Sequence, residues 1–321
     1  MKLLVLGGTK FLGRAIVDAA LAGGHEVTLF NRGETNAGLF PEVEQLRGDR
    51  DGGLDALAGR KWDAVVDTCG YFPRIVRQSA EALAEHGGVY CFISSVSVYS
   101  DLSGTVNEAS PVGTLDDDSV EEFGAEYERY GPFKALCEGI VQEIYGERAL
   151  AVRPGLIVGP HDPSGRFTYW PHRLARGGEM LAPGPPERLA QFIDVRDLAE
   201  WIVRLLEEGR SGVFNATSEG IPWRDLLARA EVTWVSDEFL VSEKVGEWME
   251  LPLWIADPAF AGMQLTDVSR AIAAGLRTRP VAGTMRDTLA LAQLVDGVGL
   301  APEREAELLS AWHGRLELIS Q

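Results

Sequence analysis

The sequence predicts an α/β protein built on a doubly wound parallel sheet, followed by a smaller, mixed C-terminal lobe. The chain opens on a run of β-formers that meets two glycines and then an amphipathic segment, "LLVLGGTKFLGRAIVDAALAGG". Strand-like and helix-like patterns alternate through the first half, which indicates parallel strands joined by right-handed crossovers. After residue 159, prolines, glycines and aromatic residues replace that alternation, so we expect the chain to leave the sheet there.

Composition narrows the functional classes. The 321 residues are 45% hydrophobic and 24% charged, which is typical of a globular protein with one large or two unequal domains. A net charge of −18 repels phosphate backbones, so nucleic acid is not an expected partner. The three cysteines lack metal-ligand spacing, so we predict no metal site and a reducing compartment. No run of about 18 apolar residues occurs, which favours a cytoplasmic protein without a membrane partner.

The elements of the first half follow from periodicity. In chain order, the predicted strands after the first are Glu26–Asn31, Val43–Gly48, Ala64–Cys69 and Val89–Ser95, and the predicted helices are Phe11–Leu21, Pro73–His86 and one that begins near Val195. In such sheets, ligands bind beyond the carboxyl ends of the strands. The residues that directly follow a strand are therefore the expected location of the chemistry.

The loop after the first strand has the features of a dinucleotide site. Gly7 permits a tight turn and Gly13 permits close helix packing, while the free N–H groups and the helix dipole suit a pyrophosphate. The alternative is that these glycines are purely conformational. The cofactor-binding residues predicted in this loop are Gly7, Thr9, Lys10, Phe11, Leu12 and Gly13.

The end of the second strand favours NADP(H) over NAD(H). An NAD-binding protein usually has an acidic residue here, whereas this chain has Asn31 and then Arg32. Without the carboxylate, Arg32 can pair with a 2′-phosphate, and Lys10 could provide a second cation unless it points into solvent. Asp49, after the third strand, is placed to accept a hydrogen bond from the adenine amino group, or alternatively to cap a helix.

Residues 1–159 with 191–217 are predicted to form a Rossmann-type dinucleotide-binding domain, and 160–190 with 218–321 a substrate-binding lobe with the C-terminal helices. The acidic stretch 96–125 is too long for a simple connection, so it is either a lid or a solvated surface loop. The tail from Leu300 is predicted to be an amphipathic helix that packs on its own domain, with a homodimer contact as the alternative.

A second set of residues suits acid/base chemistry. "ERYGPFKALCEGIV" places Tyr130 and Lys134 one helical turn apart, and Pro132 requires that the helix is only beginning there. A tyrosine, with a pKa of about 10, is a poor base until a nearby cation favours the phenolate. Lys134 could supply that charge, although the spacing also occurs by chance. The strand in "VYCFISSVSVYS" delivers Ser94 and Ser95 to the carboxyl edge, where a hydroxyl can donate to a substrate oxygen.

Five motifs in one order resemble the short-chain dehydrogenase/reductase superfamily, in its extended branch of NAD-dependent epimerase/dehydratase-like proteins: "GGTKFLG", "FISSVSVYS", "YGPFK", "RPGLIVGP" and "QFIDVRDLA". The resemblance implies that Tyr130 is the acid/base, that Lys134 lowers its pKa and holds the nicotinamide ribose, and that Ser95 orients the substrate. The further cofactor contacts that it implies are Thr68, Cys69, Gly70, Ser94 and Pro154.

The leading hypothesis is an NADP(H)-dependent oxidoreductase, in which Tyr130 exchanges a proton with the substrate oxygen during hydride transfer. Epimerisation, dehydration and simple reduction stay open. A sugar nucleotide would need cations in the second lobe, and the available ones are Arg166, His172, Arg173, Arg176 and Arg188. An apolar ketone would need an aromatic pocket, for which Phe167, Tyr169, Trp170, Trp223 and Trp254 are available. Surface arginines and core aromatics are the alternative for both sets; the predicted substrate-binding residues are Arg166, Tyr169 and Trp170.

A hypothesis from another class is a cofactor-sensing or RNA-binding protein on the same fold. The motif "GGTKFLG" resembles a subset of the family that includes plastid stem-loop RNA-binding proteins, and fold alone does not decide activity. The intact set of Ser95, Tyr130 and Lys134 argues against this alternative, because a binding module has no need of it. The negative net charge argues against RNA.

Overall fold

The computed structural model describes residues 1–117, 119, 121–124, 127–228 and 230–319. The strands of these residues are β1 (Lys2–Leu6), β2 (Glu26–Asn31), β3 (Glu44–Arg47), β4 (Trp62–Asp67), β5 (Gly87–Ile93), β6 (Ala149–Pro154), β7 (Leu156–Val158), β8 (Met180–Pro183), β9 (Leu189–Ala190), β10 (Phe192–Asp194), β11 (Gly212–Ala216), β12 (Ile221–Pro222) and β13 (Val232–Val235). The α-helices are α1 (Phe11–Ala22), α2 (Pro73–Leu83), α3 (Tyr130–Tyr145), α4 (Tyr169–Arg176), α5 (Val195–Glu207), α6 (Trp223–Leu226), α7 (Asp237–Ser242), α8 (Ser269–Ala273), α9 (Val281–Leu291) and α10 (Pro302–Ile319).

A seven-stranded parallel sheet in the order β11-β6-β5-β4-β1-β2-β3 forms the centre of the protein. The strand order reverses between β1 and β4, and a crevice for a ligand opens at such a switch point. Leu6 pairs with Phe30 on one side and with Asp67 on the other, so the carboxyl ends of β1, β2 and β4 are level. The predicted Rossmann-type α/β fold is confirmed.

The period of two along β1 divides its side chains between two cores. Leu3 and Val5 pack under α1 and α5, whereas Leu4 and Leu6 pack under α2 and α3. All four side chains are fully buried, and truncating one of them to alanine would cost about 2–5 kcal/mol. The sheet is therefore a rigid platform for the loops that follow its strands.

The predicted ends of two strands are too late. β4 ends at Asp67 rather than Cys69, because the Cys69 N–H donates to the Asp67 carboxylate at 3.1 Å instead of continuing the ladder. β5 ends at Ile93, two residues before Ser95. The predicted helix start at Val195 is confirmed, with the Asp194 side chain capping it through the Arg196 N–H.

A third hydrophobic cluster fills the C-terminal part of the chain. It includes Trp170, Trp223, Trp254 and the β8–β13 pair, and α10 adds Leu308. The tail thus packs against its own chain, as predicted. The proposed boundaries of the two lobes stay a prediction, and these core residues fall mostly within the segments assigned to the second lobe.

The acidic stretch 96–125 is described apart from residues 118, 120 and 125. A single 3₁₀ turn at Val96–Val98 begins it, Tyr99 bridges to Val112, and Val106 bridges to Thr266. The first of these bridges lies within the stretch, and the second attaches its first half to the body of the protein. Among the described residues, no helix has the length and apolar character needed to cross a membrane.

Candidate active site

The loop after β1 is a cradle without room for side chains. Gly7 and Gly8 have φ values of 103° and 88°, which favour glycine. A Cβ on Gly7 would lie 2.5 Å from the Thr68 hydroxyl, and a Cβ on Gly13 would lie 2.8 Å from the Gly8 nitrogen. Thr68 is itself held by donating to the Leu6 carbonyl at 2.8 Å. The predicted contacts Gly7, Gly13 and Thr68 therefore meet at one place.

The beginning of α1 is free to bind an anion. The helix starts at Phe11, and the preceding Lys10 has extended backbone and provides no side-chain cap. The N–H groups of the first turn, including those of Leu12 and Gly13, are accordingly open to an external acceptor. Together with the cradle, this arrangement fits the pyrophosphate of a dinucleotide.

The Asn31 side chain is hydrogen-bonded to neighbouring parts of the chain. Its amide donates to the Gly7 carbonyl at 3.1 Å, and its oxygen accepts from the Gly33 N–H at 2.9 Å and from Arg47. The side chain therefore clamps the end of β2 to the glycine loop. Arg32 is exposed and pairs with Glu34 at 2.9 Å.

Two cations are available at this end besides Arg32. Lys10 is exposed and has no ion pair with any residue that the structure describes. Arg47, which the sequence analysis missed, lies opposite Asn31 in the β2–β3 ladder, and its guanidinium is 3.1 Å from a Cβ built on Gly33. The position of Arg47 at the last residue of β3 is the signal that could have identified it.

Asp49 lies in a turn after β3 rather than at a helix start. Its carboxylate accepts from the Asp51 N–H at 3.0 Å and is exposed, so it keeps acceptor capacity toward a ligand.

The neighbouring Arg50 was not predicted from the sequence. Its guanidinium makes two 2.6 Å hydrogen bonds to Asp67, which is fully buried and also accepts from the Tyr90 hydroxyl at 2.9 Å.

The Arg50–Asp67 pair fixes the loop of residues 68–70. The Arg50 guanidinium also reaches the Cys69 sulfur at 3.4 Å, and Lys134 donates to the Gly70 carbonyl at 2.7 Å. Burial raises the pKa of the Cys69 thiol, so it is neutral at physiological pH. Cys69 therefore lines the loop as an uncharged group.

Tyr130 and Ser95 meet because α3 begins against the turn after β5. A Cβ on Gly131 would lie 1.9 Å from the Ser97 carbonyl oxygen, so only glycine lets the two segments approach. The Ser95 hydroxyl accepts from the Ser97 N–H at 3.1 Å, which fixes its position. Burial and the nearby Tyr71 raise the pKa of Tyr130 to about 12, while the Ser95 hydroxyl and Arg166 act in the opposite direction.

Lys134 is held by two backbone carbonyls. Its ammonium is buried and donates to the carbonyls of Gly70 at 2.7 Å and Ile93 at 2.6 Å, above the Phe92 ring. Burial lowers the pKa of Lys134 to about 8. The Ser95 hydroxyl and the Arg166 guanidinium lower the pKa of the Tyr130 phenol, and the expected effect of Lys134 on that pKa stays a prediction.

Arg166, a predicted substrate-binding residue, is half-buried and follows β7. Its guanidinium lies 5.9 Å from the centre of the Trp248 ring and has no hydrogen bond or ion pair with a described residue. Nearby, Asp162 is 4% exposed; one of its oxygens accepts from the Ser164 N–H at 2.8 Å and the other has no partner among the described residues. Burial lowers the pKa of Arg166.

Tyr169 and Trp170 are packing residues. The Trp170 ring is fully buried, lies 4.8 Å from Trp223, and donates to the Pro252 carbonyl at 3.1 Å. The Tyr169 ring lies against Gly299, where a Cβ would come within 2.1 Å. Because α4 turns both rings into the core, their predicted contact with substrate is corrected.

An aromatic cluster that the sequence analysis missed surrounds Tyr130. We define it as Tyr71, Phe72, Phe123 and Tyr127. The Phe123 ring stacks on Phe72 at 5.2 Å and on Tyr127 at 5.6 Å, and meets Tyr130 edge-on at 5.8 Å. No local pattern predicts it, since Tyr71 and Phe72 follow β4 whereas Phe123 and Tyr127 come from the acidic stretch and the residues after it.

Ser94 and Pro154 complete the predicted set. The Ser94 N–H donates to the Val152 carbonyl at 2.7 Å, whereas its buried hydroxyl has no partner among the described residues. Pro154 is the last residue of β6 and is buried. An unsatisfied hydroxyl at this edge fits a polar group of a bound cofactor or substrate.

Comparisons with known proteins agree with this geometry. Residues 73–217 match the model of the NAD dependent epimerase/dehydratase family. Over 248 residues the chain is 26% identical to the chloroplast stem-loop binding protein of 41 kDa b of Arabidopsis thaliana, which covers 71% of this chain and 62% of that protein. The chain thus spans less than two thirds of the length of this relative.

Two solved structures are similar over nearly their whole length. The Bordetella bronchiseptica enzyme WbmH in complex with NAD⁺ has a TM-score of 0.64 at 18% identity and covers 90% of this chain and 97% of its own. The human epimerase family protein SDR39U1 (isoform2) with NADPH has a TM-score of 0.58 at 20% identity, with 90% and 99% covered. At these identities the likeness shows the fold. The match of residues 73–217 to the NAD dependent epimerase/dehydratase family agrees with the resemblance that the motifs indicate.

Proposed function

We propose that the protein is an NADP(H)-dependent oxidoreductase of the extended short-chain dehydrogenase type that acts as an epimerase/dehydratase or a reductase on a small-molecule alcohol or carbonyl. The observation that carries the proposal is the placement of two sites on one edge of the sheet. The glycine cradle follows β1, and the Ser95–Tyr130 pair follows β5 and begins α3. A binding protein without turnover has no need of the second site.

The residues present fit a nicotinamide dinucleotide. The N–H groups of Leu12 and Gly13 would hold the pyrophosphate, and Asp49 would accept from the adenine amino group. Lys134 would hold the nicotinamide ribose, and the Ser94 hydroxyl is available to a polar group nearby. The bound nicotinamide would supply or accept the hydride.

The preference for NADP(H) rests on charge. Lys10, Arg32 and Arg47 flank the end of β2, and no carboxylate stands at position 31 to repel a 2′-phosphate. The related structures bind NAD⁺ in one case and NADPH in the other, so the fold does not decide between the two.

In the proposed reaction, the residues of this chain transfer one proton to or from the substrate oxygen. In reduction, the Tyr130 phenol donates its proton to the carbonyl oxygen as the carbon gains the hydride, and the product is an alcohol. In oxidation, the phenolate removes that proton. The Ser95 hydroxyl donates to the same oxygen and stabilises the developing charge. Because burial raises the pKa of Tyr130 to about 12, the side chain is a phenol at neutral pH, ready for the reductive direction.

A paired titration with NADPH and NADH, followed by tryptophan fluorescence, tests the cofactor. We expect NADPH to bind at least about tenfold more tightly, and this ratio to shrink in Lys10→Ala, because one charge-assisted contact contributes about 1.5–3 kcal/mol. Equal affinity for both cofactors in the wild type would refute the preference. Failure of both to bind would refute the proposed enzyme.

The relative from Arabidopsis thaliana is named for stem-loop binding, which makes RNA binding the second candidate. The net charge of −18 disfavours it. A fluorescence anisotropy titration with a labelled RNA hairpin at low and high salt decides between the two. We expect no binding, and salt-dependent binding below micromolar concentration would favour the RNA candidate.

A further inference from the structure

The guanidinium of Arg166 makes no hydrogen bond or ion pair with a described residue. Arg166 is half-buried, and its guanidinium lies 5.9 Å from the centre of the Trp248 ring. The nearby Asp162 carboxylate favours the charged form of Arg166 but forms no ion pair with it, and burial still lowers the pKa of Arg166. The fork of N–H donors on this guanidinium is therefore open to an anion supplied from outside.

The other cations considered for a diphosphate are already occupied. Arg173 and Arg176 both pair with Glu305, and Arg188 makes two hydrogen bonds to Asp237. His172 lies 3.3 Å from the Ala292 carbonyl. Among these residues, a diphosphate would therefore meet one free guanidinium, that of Arg166. The fork of donors on this guanidinium matches a single carboxylate or phosphate monoester.

The rings beside Tyr130 form an apolar surface. The aromatic cluster presents the faces and edges of four rings, and its members Tyr71 and Tyr127 are 44% and 67% exposed. Aromatic surface left open beside a reacting phenol suits an apolar or ring-shaped body of the ligand. The phenol thus has an aromatic surface beside it and the cation of Arg166 within electrostatic range.

We infer that the site binds a substrate with one anionic group, a carboxylate or a phosphate monoester, close to the reacting carbon, and an apolar or ring-shaped body that contacts the aromatic cluster. The inference rests on the proposed function and deepens it by naming the substrate class. The pKa of the Tyr130 phenol agrees with this placement, because the Arg166 guanidinium lowers it together with the Ser95 hydroxyl. A nucleotide diphosphate sugar is the class that it disfavours.

Four probes test the inference by isothermal titration calorimetry on the NADPH-loaded protein. Benzoylformate carries a carboxylate next to a carbonyl, phenyl phosphate carries a phosphate monoester, methyl benzoylformate is the neutral match, and UDP-glucose carries a diphosphate. We expect one of the two monoanionic probes to bind at least about tenfold more tightly than the neutral ester and than UDP-glucose. The stronger of the two identifies the anion as a carboxylate or as a phosphate.

Variants distinguish a contact made by the Arg166 guanidinium from a general effect of positive charge on ligand binding. Arg166→Met is expected to remove at least nine tenths of the affinity for the anionic probe, and Arg166→Lys to retain part of it. Arg224→Met removes a charge from an exposed pair with Glu187 and is expected to change nothing. NADPH affinity is expected to be the same in all of them.

The outcomes are distinguishable from those of the proposed function. Equal binding of the ester and the anions, tighter binding of UDP-glucose, binding that Arg166→Met leaves intact, or no binding of either anion would overturn the inference. If NADPH does not bind, the proposed function fails, and repeating the titrations on the cofactor-free protein still decides whether Arg166 is an anion site.

Discussion

The two ends of the cleft are assembled in different ways. The phosphate end is one continuous loop, Gly7 to Gly13, in which a Cβ built on Gly7, Gly8 or Gly13 would lie only 2.5–2.8 Å from another atom. The reacting end gathers Ser95, Phe123, Tyr130 and Arg166 from four separate segments. Cofactor affinity at the first end depends on backbone shape, whereas specificity at the second depends on tertiary packing. Changes at the two ends should therefore have separable effects.

The largest effect is expected from Tyr130→Phe. Loss of the phenolic proton should lower turnover by about 10²–10⁴-fold while NADPH affinity is unchanged, because general acid catalysis contributes in this range. Steady-state kinetics and the fluorescence titration measure the two quantities. Tyr145→Phe is the control, because that hydroxyl lies on the same helix and has no hydrogen-bond partner among the described residues. Turnover that survives Tyr130→Phe would show that Tyr130 is not the acid/base.

Arg50→Met should affect both ends, because the Arg50–Asp67 pair holds the loop between them. The change leaves a fully buried carboxylate without its cation, so we expect the free energy of unfolding to fall by about 3–5 kcal/mol. Urea denaturation measures it. The matched control is Arg60→Met, whose exposed pair with Glu44 should contribute less than about 1 kcal/mol. Equal losses in the two variants would contradict a special role for the buried pair.

Gly13→Ala should damage only the phosphate end. The added Cβ would lie 2.8 Å from the Gly8 nitrogen and 2.9 Å from its Cα, so the loop must shift, at a cost of about 1–3 kcal/mol in stability. We expect at least about tenfold weaker NADPH binding. Gly139→Ala in α3, where a Cβ would meet nothing within 4 Å, should be neutral or slightly stabilising. Binding that Gly13→Ala leaves unchanged would show that the loop tolerates a side chain.

The smallest effect concerns Lys134 and pH. Burial lowers its pKa from 10.5 to about 8, so between these values the unfolded chain binds the additional proton. The stability of the wild type relative to Lys134→Met should therefore rise with pH across this window, by about 1–3 kcal/mol. Urea denaturation at about pH 7.5 and about pH 10 measures the difference, in which other titrating groups cancel. If the stability difference between the wild type and Lys134→Met does not change with pH, Lys134 is solvated.

Sequence reasoning was most successful where a local pattern carries the structure. The strand–glycine–helix pattern and the alternation of elements predicted the doubly wound parallel sheet, because these depend on periodicities of 2.0 and 3.6 residues. Pro132 placed Tyr130 in or before the first turn of a helix, and α3 begins at Tyr130. Arg47 and Arg50 were missed because each acts through a residue that is distant in the sequence, Arg47 through Asn31 and Arg50 through Asp67.

The substrate side was predicted less well, for a physical reason. Tyr169 and Trp170 have the composition of a pocket, yet the direction of α4 turns their rings into the core. Arg173 and Arg166 are both cations on the same segment, and only the distant Glu305 distinguishes the paired one from the free one.

The amino-acid sequence by itself determined the parallel sheet, the glycine cradle and the approach of Tyr130 to Ser95, because glycines, a proline and hydrophobic periodicity act on their immediate neighbours. Only the tertiary structure decided which charges stay unpaired and which rings stay open. Lys134 is held by the carbonyls of Gly70 and Ile93, and Arg166 is left to act on the phenol. Ion pairing and burial depend on residues far apart in the chain, and no local pattern records them.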